Sequence, residues 1–386
     1  MYRHLLRPLF FLLQPELAHR IVLWLLRGLG LIPGGRWLLA QLLAVRHPAL
    51  GREVFGCRFA NPVGLAAGFD TSGEAFRELG ATGFGFVEIG TVTPRPQAGA
   101  PKPRVFRLPE ARAVVNAAGT ANRGLQKAIQ HLRHDHAGLI VGCCIGHNAG
   151  TSYEGVPADY LKVFRNLYQY VDYFTVDLCC DPQAREEATH SREQILRVLT
   201  PLFEFRRGQN DYRPVMLKIS PDLTDEQVDT ITDILIATPL DGIVAVHGTM
   251  RRDALRGCAA EGVPVGRGRL SGPALTERSR EIVRRIHERS GGGYPIIGVG
   301  GLMSVDDVRA MFEAGADLVQ LCTGYLYEGP RLVRDICRSL IADAAPKPES
   351  EPEPEIEPAS DAAPAAASDP APEAAPAHEP ENSPID

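Results

Sequence analysis

The chain has 386 residues, 44% hydrophobic and 23% charged, which suits one large soluble domain with its own core. Its net charge of −6 conceals an uneven split: residues 342–386 carry twelve acids against Lys347 alone, leaving a body with 40 basic and 35 acidic residues. No basic stripe interleaved with aromatics appears, which argues against a nucleic-acid partner. The eight cysteines show no CxxC or other metal-ligand spacing, so reduced thiols in a cytoplasmic compartment are the expectation.

Residues 1–46 hold six arginines and one acid, Glu16, and no cleavable signal with a small-residue cleavage site is read there. Leu5, Leu6, Leu9, Phe10, Leu12 and Leu13 make one apolar helix, stopped by Pro15. Ala18, Ile21, Val22, Leu23, Trp24, Leu25 and Leu26 make a second. Arg27 with Gly28, Gly30 and Pro33 predicts a break well short of the roughly 20 residues a spanning helix needs. Such a hairpin, with apolar and arginine-bearing faces, is expected to lie in a membrane interface. The alternative is a pair of helices packed on the main domain.

Beyond it, apolar runs predict strands near residues 61–67, 85–91, 139–145, 173–178, 215–220, 242–247, 295–300 and 317–322. Amphipathic stretches such as Asp225–Ala237 and Thr276–Arg289 lie between the later ones. Eight strands alternating with helices predict an α/β fold, a (β/α)8 TIM-type barrel over 47–341, with a doubly wound sheet as runner-up. The adjacent cysteines Cys143-Cys144 and Cys179-Cys180 are expected to point to opposite faces of their strands.

Two strand ends stand out. Asn61-Pro-Val-Gly-Leu-Ala-Ala-Gly-Phe-Asp70 ends in small residues that let a flat ligand approach backbone. Gly298-Val-Gly-Gly301 ends the seventh strand and offers backbone amides to a phosphate. Lys218 sits inside an apolar strand, where a charge is costly unless paired. It reads either as a cation facing a ligand or as a buried ion pair with an acid such as Asp177. The Ala-, Pro- and Glu-rich residues 342–386 are expected to be disordered.

Together with Glu88-Ile-Gly-Thr-Val-Thr-Pro-Arg-Pro-Gln97, Met216-Leu-Lys-Ile-Ser-Pro-Asp-Leu223 and Leu318-Val-Gln-Leu321, these segments resemble the dihydroorotate dehydrogenase family in its class 2, quinone-linked form, from Tyr2 to about Leu340. The resemblance implies FMN-dependent oxidation of dihydroorotate to orotate in de novo pyrimidine biosynthesis, with a membrane quinone as acceptor. It also implies a peripheral place on the cytoplasmic face of the inner membrane. Tyr2, Arg7, Phe10, Pro15, Glu16, Ala18 and His19 match the segment that gives the quinone its access.

By the same resemblance, Ala67, Gly68, Thr91, Lys218, Gly272 and Gly301 contact the flavin. Cys322 and Thr323 stand where the family has a Tyr-Ser pair, and Cys144 where it has a flavin-contacting Asn. In the substrate half, Asn116 and Gly119 match. Thr71 replaces a Lys, Ala117 an Arg, and Asp177 and His247 each an Asn. The proton-abstracting loop Ser of class 2 is Cys180 here. A thiol is the more acidic group and can act as a base, although a small cysteine filling a strand end is the plainer reading. His247 is either a second candidate base or simply hydrogen-bonded. Two functions stay open: the dihydroorotate-oxidising enzyme with a rewritten pocket, or a non-catalytic or differently specific FMN-binding paralogue.

Overall fold

The eight expected strands form and hydrogen-bond, every pair parallel, into one closed barrel. The structure, a computed structural model, describes residues 2–180, 190–255 and 268–344. The barrel strands are β1 (Val63–Leu65), β2 (Phe86–Val92), β3 (Ile140–Ile145), β4 (Tyr173–Asp177), β5 (Val215–Ile219), β6 (Gly242–Ala245), β7 (Ile296–Val299) and β8 (Leu318–Leu321). Neighbours in space are neighbours in sequence, and β8 pairs with β1 to close the ring. The strands are buried on both faces, which explains why they read as continuous apolar runs rather than alternating ones.

Side-chain alternation fills the barrel in layers. The lowest layer is apolar: Phe86, Tyr173, Met216 and Leu318 pack with Phe59, which belongs to an antiparallel hairpin of Arg52–Val54 and Cys57–Phe59. Phe59 meets Phe86 edge-on at 5.1 Å and Phe55 lies 5.5 Å from Tyr173, so rings seal this end. Two residues higher, Glu88 accepts hydrogen bonds from Tyr173 Oη at 3.0 Å, Thr175 Oγ1 at 2.9 Å and Gln320 Nε2 at 2.9 Å. Higher again come Cys144, Asp177 and Lys218. The second apolar layer lies between strands and helices. Helices Asp225–Ala237 and Thr276–Arg289 have the expected bounds, the first opened by a capping box of Thr224 and Gln227.

The N-terminal region departs from expectation. After a π turn (Tyr2–Leu6) and a short helix (Arg7–Phe11), one helix runs from Pro15 to Leu31, through Arg27, Gly28 and Gly30. A Cβ at Gly30 would lie 2.1 Å from Glu78 Oε1, so this glycine serves a close approach to the barrel rather than a break. A further helix, Gly35–Leu43, was not expected. No single described helix is long and apolar enough to cross a membrane, and the last two are bent by 116° to each other. The region docks through Tyr2 Oη to Leu326 O (2.5 Å), Arg3 to Glu328 (2.8 Å) and Arg27 to Glu74 (3.0 Å). It is also rich in uncovered apolar surface: among the described residues, eleven of the fourteen exposed large apolar side chains lie between Leu5 and Leu42.

Two smaller differences bear on the site. Strand β4 ends at Asp177, so Cys179 and Cys180 sit on a 3-10 turn, Leu178–Cys180, not on opposite faces of a strand. The last helix, Pro330–Ala344, continues past residue 341, and the rest of the tail lies outside the described residues.

Candidate active site

At the C-terminal ends of the strands, opposite the sealed end, lies a cavity of about 390 Å³. It brings together every expected flavin residue, namely Ala67, Gly68, Thr91, Lys218, Gly272, Gly301, Cys322 and Thr323. It also gathers the four expected substrate residues, Asn116, Gly119, Asp177 and His247, and the replaced positions Thr71 and Ala117. Cys144 is buried beside it and lies 3.3 Å from Thr91 Oγ1. The side chain of Cys180 lies outside what is described, whereas Cys179 lines the cavity.

Lys218 shares the inward face of β5 with Met216 and is 5% exposed. In the β4–β5 register it stands beside Asp177. No ion pair within 4.0 Å joins the two, and among the described residues Lys218 makes no hydrogen bond. Burial disfavours its charge, but Cys144, Glu88 and Asp177 around it outweigh that and raise its pKa. The carboxylates supply this effect, because the Cys144 thiol is itself pushed well up by burial. The site therefore holds an ammonium whose hydrogen-bonding capacity points at the cavity. Nearby, Gln320, also lining the cavity, leaves its Oε1 without a donor. Buried groups of this kind fit a polar ligand. The small-residue wall from Ala66 to Gly68 and the glycine loop at Gly301 fit a flat one with a phosphate. A Cβ at Gly301, where φ is +73°, would lie 2.4 Å from the backbone of Thr276, so only glycine lets this loop meet the start of helix Thr276–Arg289.

Asp177 is the polar hub of the opposite wall. Its Oδ1 accepts the Cys179 N–H at 2.9 Å, and its Oδ2 accepts from Thr91 Oγ1 at 3.2 Å. His247 Nε2 is 3.7 Å away. Burial would raise the Asp177 carboxyl, but His247, Lys218 and the Cys179 N–H hold it below the usual range. Burial pushes His247 the other way, to a neutral ring, tempered by the 27% of its side chain that opens to the cavity. Because Lys218 carries the charge that an uncharged imidazole cannot, we assign the low Asp177 value mainly to Lys218. His247 Nδ1 accepts its neighbour's N–H, from Gly248 at 2.7 Å, which leaves the proton on Nε2, facing Asp177. At 3.7 Å that last contact is longer than a hydrogen bond, so among the described residues the ring is engaged through Nδ1.

Two residues of this cavity were not read from the sequence, and a third feature places residues that were. Arg269, on a three-stranded antiparallel sheet with Ala113–Asn116 and Val105–Leu108, lines it and donates from Nη1 to Gly248 O at 3.0 Å. Arg104 lines it too, gripping Glu16 Oε1 from Nε (3.0 Å) and Nη2 (2.9 Å). And the cavity reaches the N-terminal helix itself, where Glu16 and His19 form part of its lining. His19 stacks edge-on against Phe69 at 4.9 Å, and burial lowers its pKa.

Comparison with known proteins agrees with this geometry. The family model for dihydroorotate dehydrogenase matches residues 49–343. A protein of Christiangramia forsetii, named dihydroorotate dehydrogenase (quinone), is 39% identical over 341 residues, covering 88% of this chain and 99% of its own. One of the same name from Thermosynechococcus vestitus is 41% identical over 359 residues, covering 89% and 97%. Among solved structures, DHODH of Eimeria tenella in complex with ferulenol superposes with a TM-score of 0.76 at 28% identity, covering 86% of this chain and 93% of that one. With matches that run nearly end to end on the fold just described, the chain belongs to the dihydroorotate dehydrogenase family.

Proposed function

We propose that this protein oxidises dihydroorotate to orotate for de novo pyrimidine biosynthesis, with non-covalent FMN and a membrane quinone as electron acceptor. The observation that carries the reading is one continuous cavity that runs from Lys218 at the strand ends to Glu16 and His19 on the N-terminal helix. One end suits a flavin and its substrate; the other meets the N-terminal helix, which carries exposed Leu and Trp side chains and would admit a second, apolar reactant.

Ala67, Gly68, Thr91, Lys218, Gly272, Gly301, Cys322 and Thr323 would hold FMN, the phosphate resting on the glycine loop after β7 and the backbone after β8. FMN, when bound, supplies the hydride acceptor. Lys218 opposes the negative charge that gathers on the flavin as it is reduced. Asn116, Gly119, Asp177 and His247 would line the substrate, and the base is a thiol of the turn after β4, Cys180 by the family's position. We read the substrate half as adapted: with Thr71 and Ala117 in place of cations, Arg269 offers the guanidinium that an anionic ring requires. The carboxylate at Asp177 and the imidazole at His247 favour the second reading, an FMN-binding paralogue with another substrate or none. Residues 1–46 would carry the protein to the cytoplasmic face of the inner membrane, residues 47–341 the catalysis, and residues 342–386 an acidic appendage.

The deciding experiment is purification in detergent, a flavin spectrum, and anaerobic addition of dihydroorotate. Bleaching of the flavin, reversed by a quinone, is the expected result. A flavin that stays oxidised favours the paralogue, and a folded protein that takes up no FMN removes both readings.

A further inference from the structure

The barrel interior holds a charge that none of its direct contacts requires. Glu88, on β2, is fully buried, one layer above the ring-sealed end. All three of its donors, Tyr173 Oη, Thr175 Oγ1 and Gln320 Nε2, meet the same oxygen, Oε2. These donors are neutral, and the oxygen of an uncharged amide could accept from the same groups. Its Oε1 has no hydrogen-bond partner, although a buried carboxylate is costly unless donors or a cation compensate it. The layer beneath shows that the barrel can be filled without charge, by Phe86, Tyr173, Met216 and Leu318.

The cation that explains Glu88 is Lys218, on β5 at the floor of the cavity. The groups that act on Lys218 are Cys144 on β3, Glu88 on β2, Asp177 on β4 and Cys179 on the turn after it. Burial keeps the Cys144 thiol protonated, which leaves the two carboxylates. Asp177 is already engaged by the Cys179 N–H and by Thr91 Oγ1, whereas Glu88 has an oxygen to spare. No ion pair within 4.0 Å joins Glu88 to Lys218, so the carboxylate acts through space. It also acts through Gln320. Because the amide nitrogen of Gln320 is bound to Glu88, the group has its carbonyl left for the cavity that it lines, and this Oε1 too has no donor.

We propose that Glu88 is a positioning residue for the redox chemistry proposed above: beneath the cavity it is the counter-charge of Lys218, it turns the Gln320 carbonyl toward the bound flavin, and it lowers the midpoint potential of that flavin. The inference rests on the flavin reading of the cavity. Negative charge gathers on a flavin as it is reduced, and Lys218 favours that charge. A carboxylate behind the lysine offsets part of this effect, in a site where charges are poorly screened. The reduced flavin is then the better donor to a second acceptor.

The test compares flavin-loaded wild type with Glu88→Gln, which keeps the shape and can accept from the same donors, and with Glu88→Asp, which keeps the charge. The first readout is the midpoint potential, by equilibration with a reference dye. Glu88→Gln is expected to shift the equilibrium toward reduced flavin by about 10-fold or more, which is about 30 mV upward for two electrons. Glu88→Asp should stay near the wild type. The second readout is the titration of Lys218 by carbon-13 NMR. The chain has five lysines, Lys102, Lys127, Lys162, Lys218 and Lys347, so the signal is assigned by its loss in Lys218→Met. It should titrate at lower pH in Glu88→Gln and hardly move in Glu88→Asp. A potential that does not rise in Glu88→Gln, or rises equally in Glu88→Asp, overturns the inference. So does a Lys218 titration that ignores Glu88→Gln. Should Glu88→Gln fail to fold, Asp177→Asn decides: with Glu88 as the remaining carboxylate, Lys218 is expected to stay charged at neutral pH, and a neutral Lys218 there overturns the pairing. A protein that takes up no FMN sinks the functional reading, while the Lys218 titration still decides whether Glu88 is its counter-charge.

Discussion

The two walls of the cavity are built on different principles. The wall proposed to hold the flavin consists of strand ends and glycine loops: Ala67 and Gly68 after β1, Thr91 on β2, Lys218 within β5, Gly301 after β7. Thr91 and Lys218 lie on strands paired on both sides, and Gly301 is fixed by the lack of room for a Cβ against Thr276. The wall proposed for the substrate consists of a turn, a small antiparallel sheet and two charged hubs, Asp177 and Arg269, whose positions depend on a few side-chain contacts. The lesson is that the first wall can keep a cofactor while the second is free to change its chemistry. In this chain that second wall presents the Asp177 carboxylate, the His247 imidazole, the Cys179 thiol and the Arg269 guanidinium.

The largest effect that could break this contrast is expected at Lys218. Lys218→Met fills similar volume but leaves Glu88 and Asp177 without their shared cation. Removing one partner of a buried charged cluster costs about 3–5 kcal/mol. A fall in melting temperature together with loss of retained flavin, measured by absorbance of the purified protein, is expected. If Lys218→Met keeps its flavin and its stability, the lysine is not the keystone of that wall.

Next comes Arg269→Ala. Loss of a charged hydrogen bond to a bound anion costs about 1.5–3 kcal/mol, so KM for dihydroorotate should rise by about 10-fold or more with kcat nearly unchanged, while flavin content stays normal. An unchanged KM would move the anion receptor elsewhere. Smaller still, Trp24→Glu and Leu25→Glu place charge on the bare apolar face without touching the barrel. Each should release protein from liposomes in a flotation assay and leave dihydroorotate-driven flavin reduction unaltered, since the cost of burying a charge in a bilayer interface falls on membrane binding alone.

The smallest effect concerns pH. Burial holds the His247 pKa below the unfolded value, so over the range between the folded and unfolded values the unfolded chain binds a proton that the folded chain refuses. Stability therefore rises with pH through that window. It falls as pH drops below about 6.5, by roughly 1 kcal/mol for each pH unit crossed. Asp177, held low in the folded state, acts in the same direction further down, below about 3.8. His247→Asn should flatten the loss of melting temperature between neutral and mildly acidic pH, leaving the part due to His19, whose pKa burial also lowers. Parallel curves for the two proteins would show that His247 is more solvated than its place suggests.

What the sequence made legible follows from local physics. The barrel strands announce themselves as apolar runs because both faces are covered, and Asp225–Ala237 does so by its period and by Thr224 three residues before Gln227. That Ala67, Gly68, Lys218 and Gly301 meet in one cavity was legible because small residues at strand ends and a lysine inside an apolar strand stand out from their neighbours. What stayed hidden depends on distance across the fold. The helix through Gly28 and Gly30 survives because Glu78 sits against it, a contact 48 residues away in the chain that no local rule contains. Gly35–Leu43 hid behind a Gly-Gly pair that reads as a loop. Cys179 drew attention only as half of a doublet, and its 3.8 Å contact with Nε2 of His190 exists only once β4 and helix Arg192–Arg207 are docked.

The ring-sealed end of the barrel has a consequence for traffic. With Phe55, Phe59, Phe86 and Tyr173 packed together beneath Glu88, the cavity is a blind well with its outlets at the rim. Whatever is deepest leaves last, and protons released near Lys218 have to travel upward past any molecule lodged above them. A bulky compound wedged between Arg104, Glu16 and His19 would then act as a cork, slowing departure from below without occupying the chemistry it silences.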